Sequence, residues 1–176
     1  MPQPLCQALR EALRPCPNPR AGESPSGRRP VVVLGVGSDL RSDDAAGLRV
    51  AERLARLNLP GVHALVCGTA PENAAGEIRR FAPSDLVIVD SADLGEAAGA
   101  ARLLPPEEIG GVSFSTHALP IRILSDYLRA EVGCRVTILG IQPRTLRFGE
   151  TLSPEVERAV EGVVLALAEV LRERIR

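Results

Sequence analysis

From residue 31 onward the chain repeats one pattern, a strand-length run of β-branched and other apolar residues followed by a stretch with helical periodicity. VVVLGVG (31–37), VHALVCG (62–68), DLVIVD (85–90) and VTILGI (136–141) are nearly unbroken apolar segments. A strand exposed on one face alternates apolar with polar residues, so unbroken runs belong to strands covered on both faces, as in β/α units around a largely parallel sheet. The shorter AARLL (100–104) reads as an edge strand, with an antiparallel setting open to it.

The connections carry helix signals. Ser42 or Asp43 is placed to cap a helix with Leu48, Ala51, Leu54 and Leu57 on one face, ended by Pro60-Gly61. A second helix is expected near Pro71 and a third after Pro120. The last has Ser153 as cap, Pro154 at its first position, and Val156, Val160, Val163, Leu167 and Val170 at helical spacing. Residues 1–29 differ: the short amphipathic LCQALREAL precedes a Pro-, Gly-, Ser- and Arg-rich stretch that cannot offset its ordering entropy. This is expected to be a flexible arm bearing a small helix, ahead of an α/β domain over 30–176.

A chain of 176 residues is long enough for one such domain. Its net charge of -1 gives no field for nucleic acid or an anionic membrane, and with no Trp, one Tyr and three Phe it lacks a base-stacking platform. Cys6, Cys16, Cys67 and Cys134 form no CxxC pair, so no zinc ribbon or thioredoxin motif is written and a reduced compartment is expected. No apolar run reaches the roughly 18 residues that span a bilayer. Arg10 and Glu11 interrupt any signal-peptide core, and a cytoplasmic protein is expected.

In open α/β sheets the binding crevice lies beyond the carboxyl ends of the strands. The segments arriving there are Gly35 to Asp44, Cys67 to Thr69, Asp90 to Asp93 and the SFSTHALP loop (113–120). A dinucleotide site fails on detail, because Leu40 stands at the third glycine position of GxGxxG and the second strand ends VCG without an acidic residue for a ribose. P-loop, GxSxG and HExxH motifs do not occur. Gly35 and Gly37 instead allow a sharp turn and a close approach. Cys67, at a strand end with His117 available, reads as a small inert hydrophobe, since nothing electropositive lies near it in sequence.

A carboxylate and imidazole set remains. Asp43 and Asp44 open a helix, where one acidic cap would suffice. Asp90 ends a very apolar strand and puts a carboxylate into the crevice. His117 is one of two histidines; His63 starts a strand and so belongs to the opposite edge, as a solvated bystander. Asp44, Asp90 and His117 would form an O, O, N set suited to a first-row divalent ion with open positions. Without metal, two approaching carboxylates would share a proton, as in aspartic proteases. Both settings stay open at this point.

LGVGSDLRSDDAAG (34–47), GTAPEN (68–73), LVIVDSADLG (86–95), STHALP (115–120) and LGIQP (139–143) are five separated segments in one order. In these the chain resembles the hydrogenase maturation proteases, endopeptidases that trim the C-terminus of the nickel-bearing large subunit of [NiFe] hydrogenases. It is most similar to the branch serving hydrogenase-3 of the formate hydrogenlyase type. The resemblance runs from about Val31 to Leu171 and implies a three-layer α/β/α domain with a mostly parallel five-stranded sheet. It also implies that Asp44, Asp90 and His117 contact nickel presented by the substrate and carry the cleavage, aspartic-type or metal-assisted, with no organic cofactor. Two positions depart from the family pattern: Ser38 stands where Asn is usual, and Ala45 where Gly is frequent.

The implied partner is the large-subunit precursor, met by a monomer whose crevice is accessible, with neither nucleic acid nor membrane involved. Gly35, Gly37 and Gly68 would leave room for the backbone of the substrate tail. Thr116 or Asp93 would orient His117. The alternative from another class is a nickel-sensing or docking adaptor that binds the large subunit without cutting it.

Overall fold

Val31–Val36 forms β1, and all of its side chains are buried. The structure is a computed structural model that describes residues 2–14, 29–105, 113–114, 118–149 and 151–175. The helices are α1 (Pro2–Ala12), α2 (Ala46–Arg56), α3 (Ala75–Phe81), α4 (Ala118–Glu131) and α5 (Pro154–Ile175). The further strands are β2 (Val62–Gly68), β3 (Asp85–Asp93), β4 (Ala101–Leu104), β5 (Ser113–Phe114) and β6 (Arg135–Ile141). The expected linker of residues 15–28 lies outside the described residues.

The main sheet has the order β2-β1-β3-β6-β4, with β1, β2, β3 and β6 parallel and β4 antiparallel to β6 at one edge. This is the mostly parallel five-stranded sheet expected, with AARLL as its antiparallel edge. The two-residue β5 lies off this path and pairs with the far end of β3, Ala92 with Phe114 and Asp93 with Ser113. β2 is the opposite edge and is therefore only half-buried.

Alternate residues of each strand build two cores. Val31, Val33, Val87, Val89, Leu139 and Ile141 face one way, with Leu9 of α1, Val50 and Leu54 of α2, and the apolar side of α5. Val32, Leu34, Leu86, Ile88 and Ile138 face the other, with Ile78 of α3 and Ile121, Leu124 and Leu128 of α4. The layers are thus helix, sheet, helix. On α5, Val156, Val160, Val163, Leu167 and Val170 are all buried, each contributing roughly 1.5–3 kcal/mol relative to exposure. Leu57, expected on the buried face of α2, follows the last helical residue and is exposed. α1 packs Cys6 and Leu9 into the core, and its Arg10 bridges Glu169 and Glu173 of α5.

Expected side-chain caps are replaced by other bonds. α2 is preceded by a tight 3-10 turn, Ser42–Ala45, and neither the turn nor α2 has a side-chain cap. The Ser153 carbonyl accepts the Glu157 N–H of α5 at 2.8 Å, while its hydroxyl goes to Asp43. At the amino ends of the strands, buried Asp85 accepts from Arg135 Nε at 2.7 Å and Arg174 Nη2 at 2.5 Å. Arg174 also donates to the carbonyl of Leu13 at 2.6 Å, so this knot joins β3, β6, α5 and the end of the N-terminal helix. His63 lies at this same end, half-buried rather than solvated, stacked on Phe81 with ring centroids 3.8 Å apart.

Candidate functional site

β1 is followed by β2 on one side of it and β3 by β4 at the far edge on the other, so the connections leaving β1 and β3 diverge between those two strands. Such a divergence opens a crevice at the carboxyl ends of those two strands. Gly35 paired with Val89 is the last step of the β1–β3 ladder, whereas β3 continues beside β6 to Ser91 opposite Ile141. Asp90 therefore lies one residue beyond the point where β1 leaves. It does not terminate its strand, as the sequence pattern implied: β3 runs to Asp93 because β5 and β6 continue to pair with it.

The Ser42–Ala45 turn and the start of α2 fit against this gap because three glycines lack side chains. A Cβ on Gly47 would stand 2.2 Å from the Val89 carbonyl oxygen, and one on Gly37 would stand 1.8 Å from that of Asp44. Gly37 also has φ +139, outside the range comfortable for other residues. The space beside Gly35 and Gly37 is thus filled by the chain's own carbonyls of Gly47 and Asp44, not left for a substrate backbone. Gly68 has open space where a side chain would be, and its carbonyl accepts the Gly37 N–H at 3.0 Å.

Asp44 and Asp90 come together at this rim, both essentially without solvent exposure. Burial pushes the Asp90 carboxyl well above the usual carboxylate range, and the nearby Asp44 charge pushes it further; the Ser91 N–H, 2.7 Å from Asp90 Oδ1, opposes the shift. Asp90 Oδ2 is buried and has no hydrogen-bond partner among the described residues. The pair is suited to holding one proton between two acids, or to meeting a cation that neutralises both. His117 and Thr116 lie outside the described residues. No group of three or more His, Cys, Asp or Glu side chains forms a metal site among the described residues. Asp93 Oδ1 accepts from the Gly95 N–H at 3.2 Å and from Gln142 Nε2 at 3.3 Å.

Asp43 does different work from its neighbour. Its carboxylate accepts the backbone N–H groups of Arg144, Thr145 and Ser153 at 2.9, 3.1 and 2.6 Å, and the Ser153 hydroxyl at 3.0 Å. Ser42 Oγ donates to the Thr151 carbonyl at 2.8 Å, and the Gly149 N–H to that of Leu40 at 2.9 Å. The turn after β1 is thereby sewn to the loop after β6. Gln142 makes an equivalent link from the end of β6 to the connection between β3 and β4, its Oε1 accepting the N–H of Leu94 at 2.6 Å and of Glu96 at 3.3 Å. Sequence reasoning missed both roles; the only signal was a second aspartate where one cap sufficed.

Cys67 donates its thiol to the Ala70 carbonyl at 3.3 Å, and burial raises its pKa, which keeps it a thiol. No helix among the described residues is long and apolar enough to cross a membrane.

A protein-family model described as hydrogenase maturation protease matches residues 48–170, a span that contains Asp90 and His117 and begins just after Asp44. The chain is 35% identical over 133 residues to the hydrogenase 3 maturation protease of Escherichia coli, covering 75% of this chain and 85% of that protein. A crystal structure of a [NiFe] hydrogenase maturation protease from Thermococcus kodakarensis superposes with a TM-score of 0.75 at 36% identity, over 84% of this chain and 95% of that one. The solution structure of an endopeptidase from Escherichia coli gives a TM-score of 0.69 at 32% identity, over 77% and 87%.

Proposed function

Because the chain belongs to the hydrogenase maturation protease family, we propose that it removes the C-terminal extension of a nickel-loaded [NiFe]-hydrogenase large-subunit precursor. Asp44, Asp90 and His117 are the residues assigned to recognise the substrate's nickel and to carry the cleavage. The observation that supports this most is the buried Asp44 and Asp90 pair, in which burial first and the Asp44 charge second raise the Asp90 pKa.

A fold gains nothing from two carboxylates shut away together, so the pair has a use outside packing. With one proton between them, the ionised member takes a proton from the attacking water and the protonated member gives one toward the scissile peptide. A nickel ion presented by the substrate would relieve the same repulsion on docking and polarise the carbonyl to be attacked. Docking would then depend on metallation of the client. His117 would add the softer nitrogen donor that nickel favours over carboxylate alone.

The test mixes the purified chain with nickel-loaded and nickel-free precursor and records the mass of the large subunit. Shortening of the loaded form alone is expected. Equal shortening of both forms would remove nickel recognition from the proposal, and association with the loaded form without shortening would assign an adaptor role.

A further inference from the structure

Two buried acids that repel one another must be held in place by the rest of the fold, and Asp44 and Asp90 are held differently. Asp90 lies within β3, paired with Gly140 of β6. Asp44 lies on the four-residue 3-10 turn Ser42–Ala45, which has no side-chain cap. That turn is entered through Ser42 at φ +43, a left-handed conformation that a residue with a side chain keeps only when its surroundings impose it. Local backbone preference opposes the entry to the turn, and the charge of Asp44 opposes its place beside Asp90.

Bonds from a remote part of the chain offset both. Three residues complete a 3-10 turn, so successive side chains on it point about 120° apart and adjacent acids face different surroundings. Asp43 faces the segment between β6 and α5. Its Oδ1 accepts the Ser153 N–H at 2.6 Å, and its Oδ2 accepts the N–H groups of Arg144 and Thr145 at 2.9 and 3.1 Å and the Ser153 hydroxyl at 3.0 Å. The Asp43 N–H in turn donates to the Thr145 carbonyl at 3.3 Å. Asp43 has no solvent exposure, so these bonds are made away from competing water. On the other side, the Asp44 carbonyl occupies the space that a side chain on Gly37 would need. One planar peptide unit joins the two aspartates, and a displacement of the first is passed to the second.

We propose that Asp43 is a positioning residue for the cleavage: its carboxylate, fixed by Arg144, Thr145 and Ser153, anchors the turn that keeps Asp44 beside Asp90. The proposal rests on the function assigned above, in which Asp44 and Asp90 carry the reaction. It gives the aspartate doublet two separate uses, the first acid holding and the second reacting.

Asp43→Asn tests it, because the side chain keeps its shape while its NH2 group, whichever way the amide is turned, meets a backbone N–H of Ser153 or of Arg144 and Thr145. Ser153→Ala removes only the hydroxyl donor and carries the same readouts should Asp43→Asn not fold. Each full-length variant is assayed on nickel-loaded precursor at a temperature where circular dichroism shows it folded, and its crystal structure is compared with that of the wild type. A misplacement of about 1 Å costs roughly 10²-fold in rate. The kcat of Asp43→Asn should fall by about that factor and that of Ser153→Ala by less, with KM kept and the Asp44 and Asp90 carboxylates further apart. An unchanged kcat per folded molecule, beside a lower thermal midpoint, would overturn the proposal and leave the peptidase standing. A rise in KM with kcat kept would overturn it by showing that these residues serve precursor binding instead. A fall in kcat with the carboxylate separation unmoved would overturn it too. If the wild type binds precursor without shortening it, the peptidase reading falls and the crystallographic separation decides alone: widening in Asp43→Asn upholds the anchor, and no widening overturns it.

Discussion

Asp85 and Asp90 are both fully buried on β3, yet Asp85 meets the guanidinium groups of Arg135 and Arg174 while Asp90 meets the carboxylate of Asp44. Among the described residues, one end of the strand sets its acid against two cations and the other sets it beside a second acid. The first arrangement holds the fold, and the second is held by it.

Asp90→Asn separates those two purposes. Because the folded pKa of Asp90 is raised, its contribution to stability is fully present below the unfolded carboxylate value, about 3.9, and is lost as pH rises through the folded value. The variant is expected to have a higher thermal midpoint than wild type at neutral pH and a shallower decline between acid and neutral pH. Cleavage should fall roughly 10²–10⁴-fold. Thermal scans across pH, paired with large-subunit mass, check both; a lower midpoint at neutral pH would contradict the buried repulsion.

Asp85→Ala should do the reverse. Removing one partner of a buried ion pair leaves the others uncompensated and costs about 3–5 kcal/mol, so the denaturant midpoint should drop sharply. Cleavage per folded molecule should be unaltered at a temperature where the variant is folded. Urea titration followed by an activity measurement scaled to the folded fraction decides it.

Asp43→Ala should also destabilise, by more than the roughly 1 kcal/mol of a lost helix cap, since three backbone N–H groups and a hydroxyl lose a charged acceptor. Amide hydrogen exchange is the specific readout. Arg144, Thr145 and Ser153 should lose protection together while the amides of β1 and β3 keep theirs.

Gly37→Ala places a methyl group where the Asp44 carbonyl oxygen now stands. It should cost at least the roughly 1–3 kcal/mol of a strained φ, and the turn must shift, carrying Asp44 away from Asp90. Lower stability together with lost cleavage is expected. Gly68→Ala faces open space and should cost only the strain of its positive φ, with cleavage retained.

The sheet was legible because strands covered on both faces must be apolar throughout, and the carboxyl-end rule then pointed to Asp44 and Asp90 without knowledge of strand order. The extension of β3 past Asp90 was not, because Ser91 and Asp93 are poor strand formers that pair only through β5 and β6. Asp43, Asp85 and Gln142 were illegible for one shared reason. Their partners are backbone amides or arginines distant in sequence, and such bonds leave no periodicity to read. Asp43 was taken for a cap because a carboxylate at a helix start looks the same whether it binds its own turn or a remote loop.

The stitching of the first loop by the last has a consequence for how the enzyme comes into being. Asp43 leaves the ribosome early, but its shortest bond is to the Ser153 amide, 110 residues later. Until that amide and the helix behind it have been synthesised, the turn that carries Asp44 is without the bonds that tie it to the last loop.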